Sequence, residues 1–329
     1  MFAQHANEVP VAVQIVDKHK EITMKKKMLG ALVGDIAGSY YEWHKIKKEP
    51  EILIDHRSHF TDDTVLTLAI ADGLMNAAKS YDQQIAEEEA AMSDKEREAM
   101  RKMEERLGLV ISEDSHAPFS AMDEEMLMQF MSSSVRKFAR TFPYAGYGGR
   151  FAKWVESDQT EGYHSLGNGA AMRVSFCGWV ADSPEEALRL AKASADITHN
   201  HPSGEKAAQA IAYYIYQLRN GMTKEEMRES VAQFYPIDFT LNQIRPTYEF
   251  DVTCDGSVPQ AIEAFFEGDS FEEVIRLAIS IGGDSDTIAA IAGSLAETIY
   301  EIPDDLAERA MNCLARELRE VVDRIQKFL

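Results

Sequence analysis

Two acidic clusters, each at the start of a strongly apolar segment, constrain the fold of this chain more than any other feature. In the segment GGDSDTIAAIAGSLAE, residues 282–297, and just past its end, apolar residues recur at helical spacing at Ile288, Ile291, Leu295 and Ile299, and small residues cover the other faces. The segment FTDDTVLTLAIADGLM, residues 60–75, has the same layout. A helix that is apolar on nearly all sides lies in the protein core. The pattern therefore predicts two buried helices with acidic N-termini.

The acidic residues admit two interpretations. Asp and Thr are preferred N-cap residues, and the positive end of a helix dipole stabilises a carboxylate, so both clusters could be simple caps. A cap needs only one side chain, however, and like charges at a buried helix end repel one another unless a counterion is present. Carboxylates and hydroxyls without thiolates suit Mg²⁺, Mn²⁺ or Ca²⁺, and four carboxylates would neutralise two such ions. The oxygen-bearing residues of this two-metal hypothesis are Thr61, Asp62, Asp63, Asp284, Asp286 and Thr287.

The composition excludes several functional classes. The chain has 329 residues, 45% of them hydrophobic, which suffices for one large or two ordinary globular domains. Its formal net charge of −21 repels phosphate backbones and anionic lipids, so we expect neither nonspecific nucleic-acid binding nor membrane binding. The widely spaced Cys177, Cys254 and Cys313 predict neither a disulfide framework nor a thiolate zinc site. Without a signal-peptide pattern or an apolar stretch of membrane-spanning length, we expect a cytoplasmic protein.

Capping signals and the scarcity of period-two segments predict an all-α fold. Three segments begin with Ser or Thr followed three residues later by Glu, the signature of a capping box: Ser183 with Glu186, Thr223 with Glu226, and Ser270 with Glu273. We predict residues 1–24 as an N-terminal extension and residues 25–329 as one domain. Within that domain, the charged segment of about 79–122 is predicted to be an inserted surface helix or hairpin, with a partner-binding device as the alternative.

The middle of the chain holds glycine-rich loops and a histidine pair. YAGYGGRF (144–151) and SLGNGAAMR (165–173) place glycines beside polar side chains, and such loops let backbone N–H groups approach an anion closely. Neither matches a P-loop or a dinucleotide fingerprint, so simple tight turns remain the alternative. His199 and His201 precede another apolar helix without a Cys or a third His at zinc spacing. A hydrogen bond from a helix-start histidine to a substrate or the backbone is therefore favoured over zinc ligation.

The chain carries six motifs in this order: GDIAGSYYE (34–42), TDDT (61–64), GYGGRF, SLGNGAAMR, THNHPSGEKAA and GGDSDT. Together they resemble those of the ADP-ribosylglycohydrolases, the family that includes the dinitrogenase-reductase-activating glycohydrolases. The resemblance extends from about Leu29 to Pro303, outside the extension and the insertion, and only the combination of motifs is specific. It implies a compact all-α domain of orthogonally packed helices.

The resemblance implies a site with two Mg²⁺ or Mn²⁺ ions and an ADP-ribose. By match to TDDT and GGDSDT, the ligands would be Thr61, Asp62, Asp63, Asp284, Asp286 and Thr287. Glu42 falls on the position of a mobile glutamate near the metals, and His199 on that of a substrate-contacting histidine. Two glycine motifs match the family's substrate loops, which would place Ser165, Leu166, Gly167, Asn168 and Gly169 at the distal ribose and diphosphate, and Gly148 and Gly149 on a second backbone wall.

The implied reaction is hydrolysis of the glycosidic bond at the anomeric carbon of the distal ribose, through an oxocarbenium-like transition state. The expected substrate is an ADP-ribosylated protein modified on arginine, and free ADP-ribose is the product. Glu42, Asp62 or Asp63 would accept the proton of the attacking water.

Three alternatives remain open. One is another linkage, through serine, a nucleic acid or a small molecule. A second is a non-catalytic ADP-ribose binder. The third is an immunity protein in which residues 1–24 form an arm against an ADP-ribosylating toxin.

Overall fold

The regular structure of the chain is helical, as predicted. A computed structural model describes residues 28–93, 95–99, 102 and 119–329, and within these ranges β pairing is limited to one isolated bridge between Gly167 and Thr253. The all-α prediction is therefore confirmed. Short 3₁₀ turns occupy Phe119–Ala121 and Val231–Gln233. The α-helices are α1 (Gly30–Trp43), α2 (Asp62–Ala91), α3 (Glu124–Thr141), α4 (Gly149–Glu156), α5 (Gly169–Met172), α6 (Ser175–Val180), α7 (Pro184–Asp196), α8 (Pro202–Arg219), α9 (Lys224–Ser230), α10 (Leu241–Ile244), α11 (Cys254–Glu267), α12 (Phe271–Ser280), α13 (Ser285–Ala296), α14 (Asp304–Cys313) and α15 (Arg316–Phe328).

Helix α13 lies at the centre of the core, where every one of its residues is buried. Helix α1 packs against it through glycines one turn apart. A Cβ built on Gly34 would lie 2.0 Å from the carbonyl oxygen of Ala289, and one built on Gly38 would lie 2.4 Å from that of Ser285. Gly30 approaches Gly293 in the same way. Since no side chain fits at these distances, the two helix backbones are in direct contact, which explains the glycine spacing of α1.

The C-terminal end of α13 is bound to the N-terminal end of α1. The Glu297 carboxylate accepts hydrogen bonds from the backbone N–H groups of Leu29 and Gly30, at 2.9 and 3.0 Å. These donors belong to the first turn of α1 and have no partner within that helix. The predicted continuation of the apolar helix to Ile299 is wrong, because α13 ends at Ala296 and the following turn carries Ile299 to the surface.

The three predicted N-caps, Ser183, Thr223 and Ser270, are confirmed, since each side chain accepts the backbone N–H of the Glu three positions later. The box is reciprocal only at Thr223, whose N–H is bound by Glu226 at 2.8 Å. In the other two helices the glutamate binds the N–H of the residue before the cap, Asp182 or Asp269. Local sequence therefore predicts the hydroxyl caps, but it does not predict which backbone N–H group the glutamate binds.

The described part of the predicted 79–122 insertion begins as a direct continuation of α2. Residues 79–91 complete that helix and are largely exposed, and residues 95–99 are also helical. Of the rest of this segment, the structure describes only residues 92, 93, 102 and 119–122. The predicted extension, residues 1–24, lies wholly outside them. Throughout the described ranges, no helix has the length and apolar character needed to cross a membrane.

The contact between α1 and α13 predicts that one methyl group added to Gly34 lowers the stability of the protein strongly. Gly34→Ala would force a Cβ against the Ala289 carbonyl, so the helices must separate, and we expect the free energy of unfolding to fall by about 3 kcal/mol. Urea unfolding followed by circular dichroism measures this change. Gly148→Ala is the matched control, because a Cβ built there meets no atom within 4 Å. Equal stability of the two variants would contradict the proposed contact.

Candidate active site

A cleft of about 620 Å³ opens where the N-termini of α2 and α13 meet. The structure brings together in its walls all but one of the residues singled out in the sequence. Leu166 is the exception: its side chain is half exposed, and its carbonyl oxygen accepts the N–H of Cys254 at 3.0 Å. The predicted site residues that line the cleft are Glu42, Thr61, Asp62, Asp63, Gly148, Gly149, Ser165, Gly167, Asn168, Gly169, His199, Asp284, Asp286 and Thr287.

The start of α2 is held in place by an aspartate of α1. Thr61 is the N-cap of α2, and its hydroxyl accepts the N–H of Asp63 at 3.2 Å and donates to Asp35 at 2.7 Å. The other Asp35 oxygen accepts the backbone N–H groups of Thr61 and Thr64, each at 3.0 Å. Because its hydrogen is committed to Asp35, the Thr61 hydroxyl can offer only oxygen lone pairs to the cleft.

The two acidic clusters form one group in space. The Thr287 hydroxyl donates to the Asp63 carboxylate at 3.1 Å, although the two residues are 224 positions apart in sequence. Carboxylate oxygens of Glu42, Asp284 and Asp286 lie within 4.8 Å of one another. The acids are therefore not independent caps of two separate helices. They form a single acidic cluster, which consists of Glu42, Asp62, Asp63, Asp284 and Asp286.

Burial and mutual repulsion disfavour the charged forms of these acids. Desolvation, together with the neighbouring carboxylates, raises the pKa of Asp62 to about 8 and that of Glu42 to about 7. The same two causes raise the pKa values of Asp63 and Asp286 well above their ordinary range. In the described ranges, no Lys, Arg or His side chain forms an ion pair with the cluster. When ionised, these acids give the site a negative charge that no ion pair with a described side chain of the protein neutralises.

The cluster has the properties of a divalent cation site. One oxygen of Asp63 and one of Asp286 are buried without any hydrogen-bond partner among the described residues. Buried carboxylate oxygens are costly to leave unpaired, so these atoms require a ligand that supplies positive charge. The donors are carboxylate and hydroxyl oxygens, which is the set preferred by hard cations such as Mg²⁺ and Mn²⁺. The donor set therefore fits the metal ions that the family resemblance implies.

The loop of residues 165–169 is tied both to the acidic cluster and to the start of α11. The Asn168 side-chain amide donates to Asp284 at 2.6 Å and to Ser257 at 3.0 Å. The backbone N–H of Asn168 donates to the carbonyl of Val252 at 2.8 Å. These bonds fix the loop on the α13 side of the cleft, within reach of a molecule bound at the acids.

On the opposite wall, the start of α4 presents bare backbone. A Cβ built on Gly148 or Gly149 would meet no atom within 4 Å, so these glycines face open space. Nearby, the N–H of Asp62 donates to the carbonyl of Ala145 at 2.7 Å, which fixes this loop against α2. An N-terminal helix turn with accessible N–H groups favours an anionic ligand group.

His199 is buried between the cleft and the core. Burial, with smaller contributions from Arg173 and Arg150, lowers its pKa well below the ordinary value for histidine. The imidazole is therefore neutral at physiological pH. His201 does not share this position, because its ring caps α8 by accepting the N–H of Ser203 at 3.1 Å. The structure thus separates a cleft histidine from a capping histidine, and among the described residues neither lies in a group of potential metal ligands.

Sequence reasoning missed several residues of the site. Asp35 carried a usable signal, since it is an acid flanked by apolar and small residues in the first half of α1, and the structure buries it fully. Arg150 and Tyr163 also line the cleft, but nothing in the sequence distinguishes them from surface residues. The same holds for a rim of exposed aromatic and aliphatic side chains, which comprises Trp43, Tyr144, Phe250 and Val252.

Comparisons with known proteins identify the family of this chain. The family profile described as ADP-ribosylglycohydrolase matches residues 23–328. An ADP-ribosyl-[dinitrogen reductase] glycohydrolase from Rhodospirillum rubrum is 28% identical over 169 residues, which cover 48% of this chain and 55% of that protein. The ADP-ribosylhydrolase ARH3 of Homo sapiens is 25% identical over 336 residues, which cover 83% of this chain and 84% of that protein.

The chain belongs to the ADP-ribosylglycohydrolase family and is an enzyme of that family. A solved structure described as an ADP-ribosylglycohydrolase-related protein complex superimposes with a TM-score of 0.53 at 20% identity, covering 91% of this chain and 95% of the other. This likeness confirms the fold. The R. rubrum relative is matched over about half its length, so the comparison does not define the substrate of this chain.

The acidic cluster predicts that removing one of its acids raises the stability of the metal-free protein and weakens the binding of cations. In EDTA, Asp286→Asn should unfold at a higher temperature than the wild type, because it removes a buried charge whose raised pKa marks it as unfavourable in the folded state. With Mg²⁺ at about a hundred times its dissociation constant, the wild type should gain about 2.7 kcal/mol, and the variant much less. Differential scanning calorimetry measures both.

Asp72→Asn is the matched control for this experiment. Asp72 is as buried as Asp286, but it forms an ion pair with Arg324 and accepts the hydroxyl of Ser134 at 2.8 Å. Its replacement should lower stability equally with and without Mg²⁺. A wild type whose unfolding temperature does not respond to Mg²⁺ or Mn²⁺ would contradict the cation site.

Proposed function

We propose that this enzyme hydrolyses the glycosidic bond between ADP-ribose and an arginine side chain of a modified protein, and releases ADP-ribose. The observation that carries the proposal is the convergence of both acidic helix starts with Glu42 in one cleft. The cleft also contains the glycine loops and the histidine that the family resemblance associates with ADP-ribose. Membership of the family supports the reaction class, and the linkage is the finer part of the proposal.

Two divalent cations would be held by the six oxygen donors of the two helix starts. Bound there, they would orient the distal ribose and make a water molecule a better nucleophile. The protein keeps the donors in place through Asp35, which orients Thr61, and through Asn168, which orients Asp284. The donors are Thr61, Asp62, Asp63, Asp284, Asp286 and Thr287.

The loop of residues 165–169 and His199 would bind the distal ribose and its phosphate on one wall. Gly148 and Gly149 would offer backbone N–H groups to the diphosphate on the other wall. Arg150 would add a positive charge there, since it lines the cleft and its guanidinium lies 4.9 Å from the ring of Tyr163. This arrangement lines the cleft with anion-binding groups beside the acidic cluster, as a ligand with a diphosphate and a reactive sugar requires.

Glu42 is the best candidate for the general base. Its pKa, raised to about 7 by burial and by Asp284, suits proton transfer near neutral pH. It is less buried than Asp63 or Asp286, and its backbone lies on α1 rather than at either of the two acidic helix starts. In the proposed step the Glu42 carboxylate takes a proton from water as the water oxygen bonds to the anomeric carbon. The bond to the guanidine nitrogen breaks, and the proton that Glu42 has taken passes to this nitrogen, which regenerates the carboxylate.

The charge of the site favours arginine as the modified residue. A guanidinium is cationic, whereas a serine hydroxyl is neutral, and five acidic side chains line the cleft of a protein whose net charge is −21. The indole of Trp43, adjacent to Glu42 and 77% exposed, lines the cleft and offers a flat face on which a guanidinium can stack. Together these features would bind the acceptor side of the substrate.

The proposal is tested by release of ADP-ribose from defined substrates. With Mg²⁺, the wild type should release ADP-ribose faster from ADP-ribosylated arginine peptide than from serine peptide or ADP-ribosylated nucleic acid, and EDTA should abolish release. Glu42→Gln should lower kcat by about 10²–10⁴-fold, because the amide cannot accept the proton, while ADP-ribose still binds. Rates are measured by chromatography and binding by calorimetry.

Glu49→Gln is the matched control, since Glu49 is exposed on the loop that follows α1 and does not line the cleft. It should leave kcat and KM unchanged. Faster release from serine peptide would replace the arginine proposal with another linkage. Binding of ADP-ribose with no release from any substrate would instead identify the protein as a non-catalytic binder.

A further inference from the structure

A guanidinium without an anionic partner lies beneath the cleft. Arg173 follows the glycine loop and is completely buried, and none of the described residues forms an ion pair with it. One of its nitrogens, Nη2, donates to the carbonyl of Ser194 at 2.8 Å and to the hydroxyl of Thr198 at 2.7 Å. Its Nε and Nη1 have no partner among the described residues. A buried charge of this kind is costly, and an apolar side chain of similar size would avoid the cost.

The Thr198 hydroxyl connects this guanidinium to the cleft histidine. Its oxygen lies 2.7 Å from Nδ1 of His199, and Thr198 is itself fully buried. A hydroxyl has one hydrogen, and a guanidinium can only donate, so the bond from Arg173 occupies a lone pair of the Thr198 oxygen. The hydroxyl hydrogen then has a single acceptor within reach among the described residues, which is Nδ1 of His199. The opposite arrangement, with Nδ1 protonated, would leave this buried hydrogen unpaired.

With Nδ1 as acceptor, the proton of the neutral imidazole is on Nε2. This nitrogen faces the glycine loop: it lies 3.0 Å from the position of a Cβ built on Gly169 and 3.5 Å from one built on Gly167. Both glycines line the cleft, as does His199. The Nε2–H group is therefore presented to a ligand in the cleft as a hydrogen-bond donor.

We propose that Arg173 and Thr198 form a relay that holds His199 in the Nε2–H tautomer, so that this part of the cleft accepts a ligand oxygen and rejects a ligand donor. Arg173 and Thr198 are positioning residues, since neither touches the ligand. The buried charge of Arg173 also disfavours the imidazolium, which keeps His199 in its neutral form. The identity of the oxygen, a hydroxyl of the distal ribose or a phosphate oxygen of ADP-ribose, rests on the proposed function.

Nitrogen-15 NMR of histidine-labelled protein tests the relay without any ligand or metal ion. The protein has nine histidines, and comparison with His199→Gln assigns the relevant signals. Between pH 6 and 8 we expect Nδ1 of His199 to be of the pyridine type and Nε2 to carry the proton. A proton on Nδ1 in the wild type would overturn the proposal. This measurement needs no variant of the relay itself, so it does not depend on how such variants fold.

The variants test whether the relay controls binding. Thr198→Val has the same shape but lacks the hydroxyl, so we expect mixed tautomers and a dissociation constant for ADP-ribose about tenfold higher. Thr198→Ser should restore both properties, and Thr160→Val, at an exposed position, should change neither. An unchanged tautomer in Thr198→Val would overturn the relay. If the wild type shows the expected tautomer yet does not bind ADP-ribose, the relay is upheld and the proposed function fails.

Discussion

The direct backbone contact between α1 and α13 is the constraint on which the rest of the structure depends. Three glycines of α1 bring the two helices so close that their relative position has almost no freedom. Asp35 then reaches the start of α2 from one side of α1, and Glu42 reaches the cleft from its end. Because α13 starts beside Asp63, the same contact sets the distance between the two acidic clusters.

The acidic cluster shows how this rigid core supports function at the expense of stability. Charged carboxylates buried beside one another would normally be pushed apart or be replaced during evolution of a stable fold. Here they occupy the ends of buried helices, where packing of the apolar residues behind them prevents such a relaxation. The protein alone leaves buried oxygens of Asp63 and Asp286 unpaired. A site of this kind is preorganised for cations, because its donors need not be gathered when an ion binds.

Much of the site could be predicted from the sequence because its signals are local. Acids at the head of an apolar helix, hydroxyl caps and glycine loops each reflect the chemistry of a few consecutive residues, and the structure has them where predicted. Of the predicted loop residues, Leu166 alone does not line the cleft, and its carbonyl accepts the N–H of Cys254, a contact with a distant residue that local sequence does not reveal. The extent of α13 was overestimated for a similar reason, since Glu297 turns toward α1.

The sequence by itself determined the helical class, the buried character of α13 and the first half of α2, and the residue types that gather in the cleft, because periodicity and capping act within one helix. Only the tertiary structure decided that the two acidic clusters share one space, that Asp35 orients Thr61, and that Arg173 acts on His199 through Thr198. These relations join residues of different helices. They depend on how closely the helices pack, and the physical reason is that a contact distance is a property of the assembled core and not of any one segment.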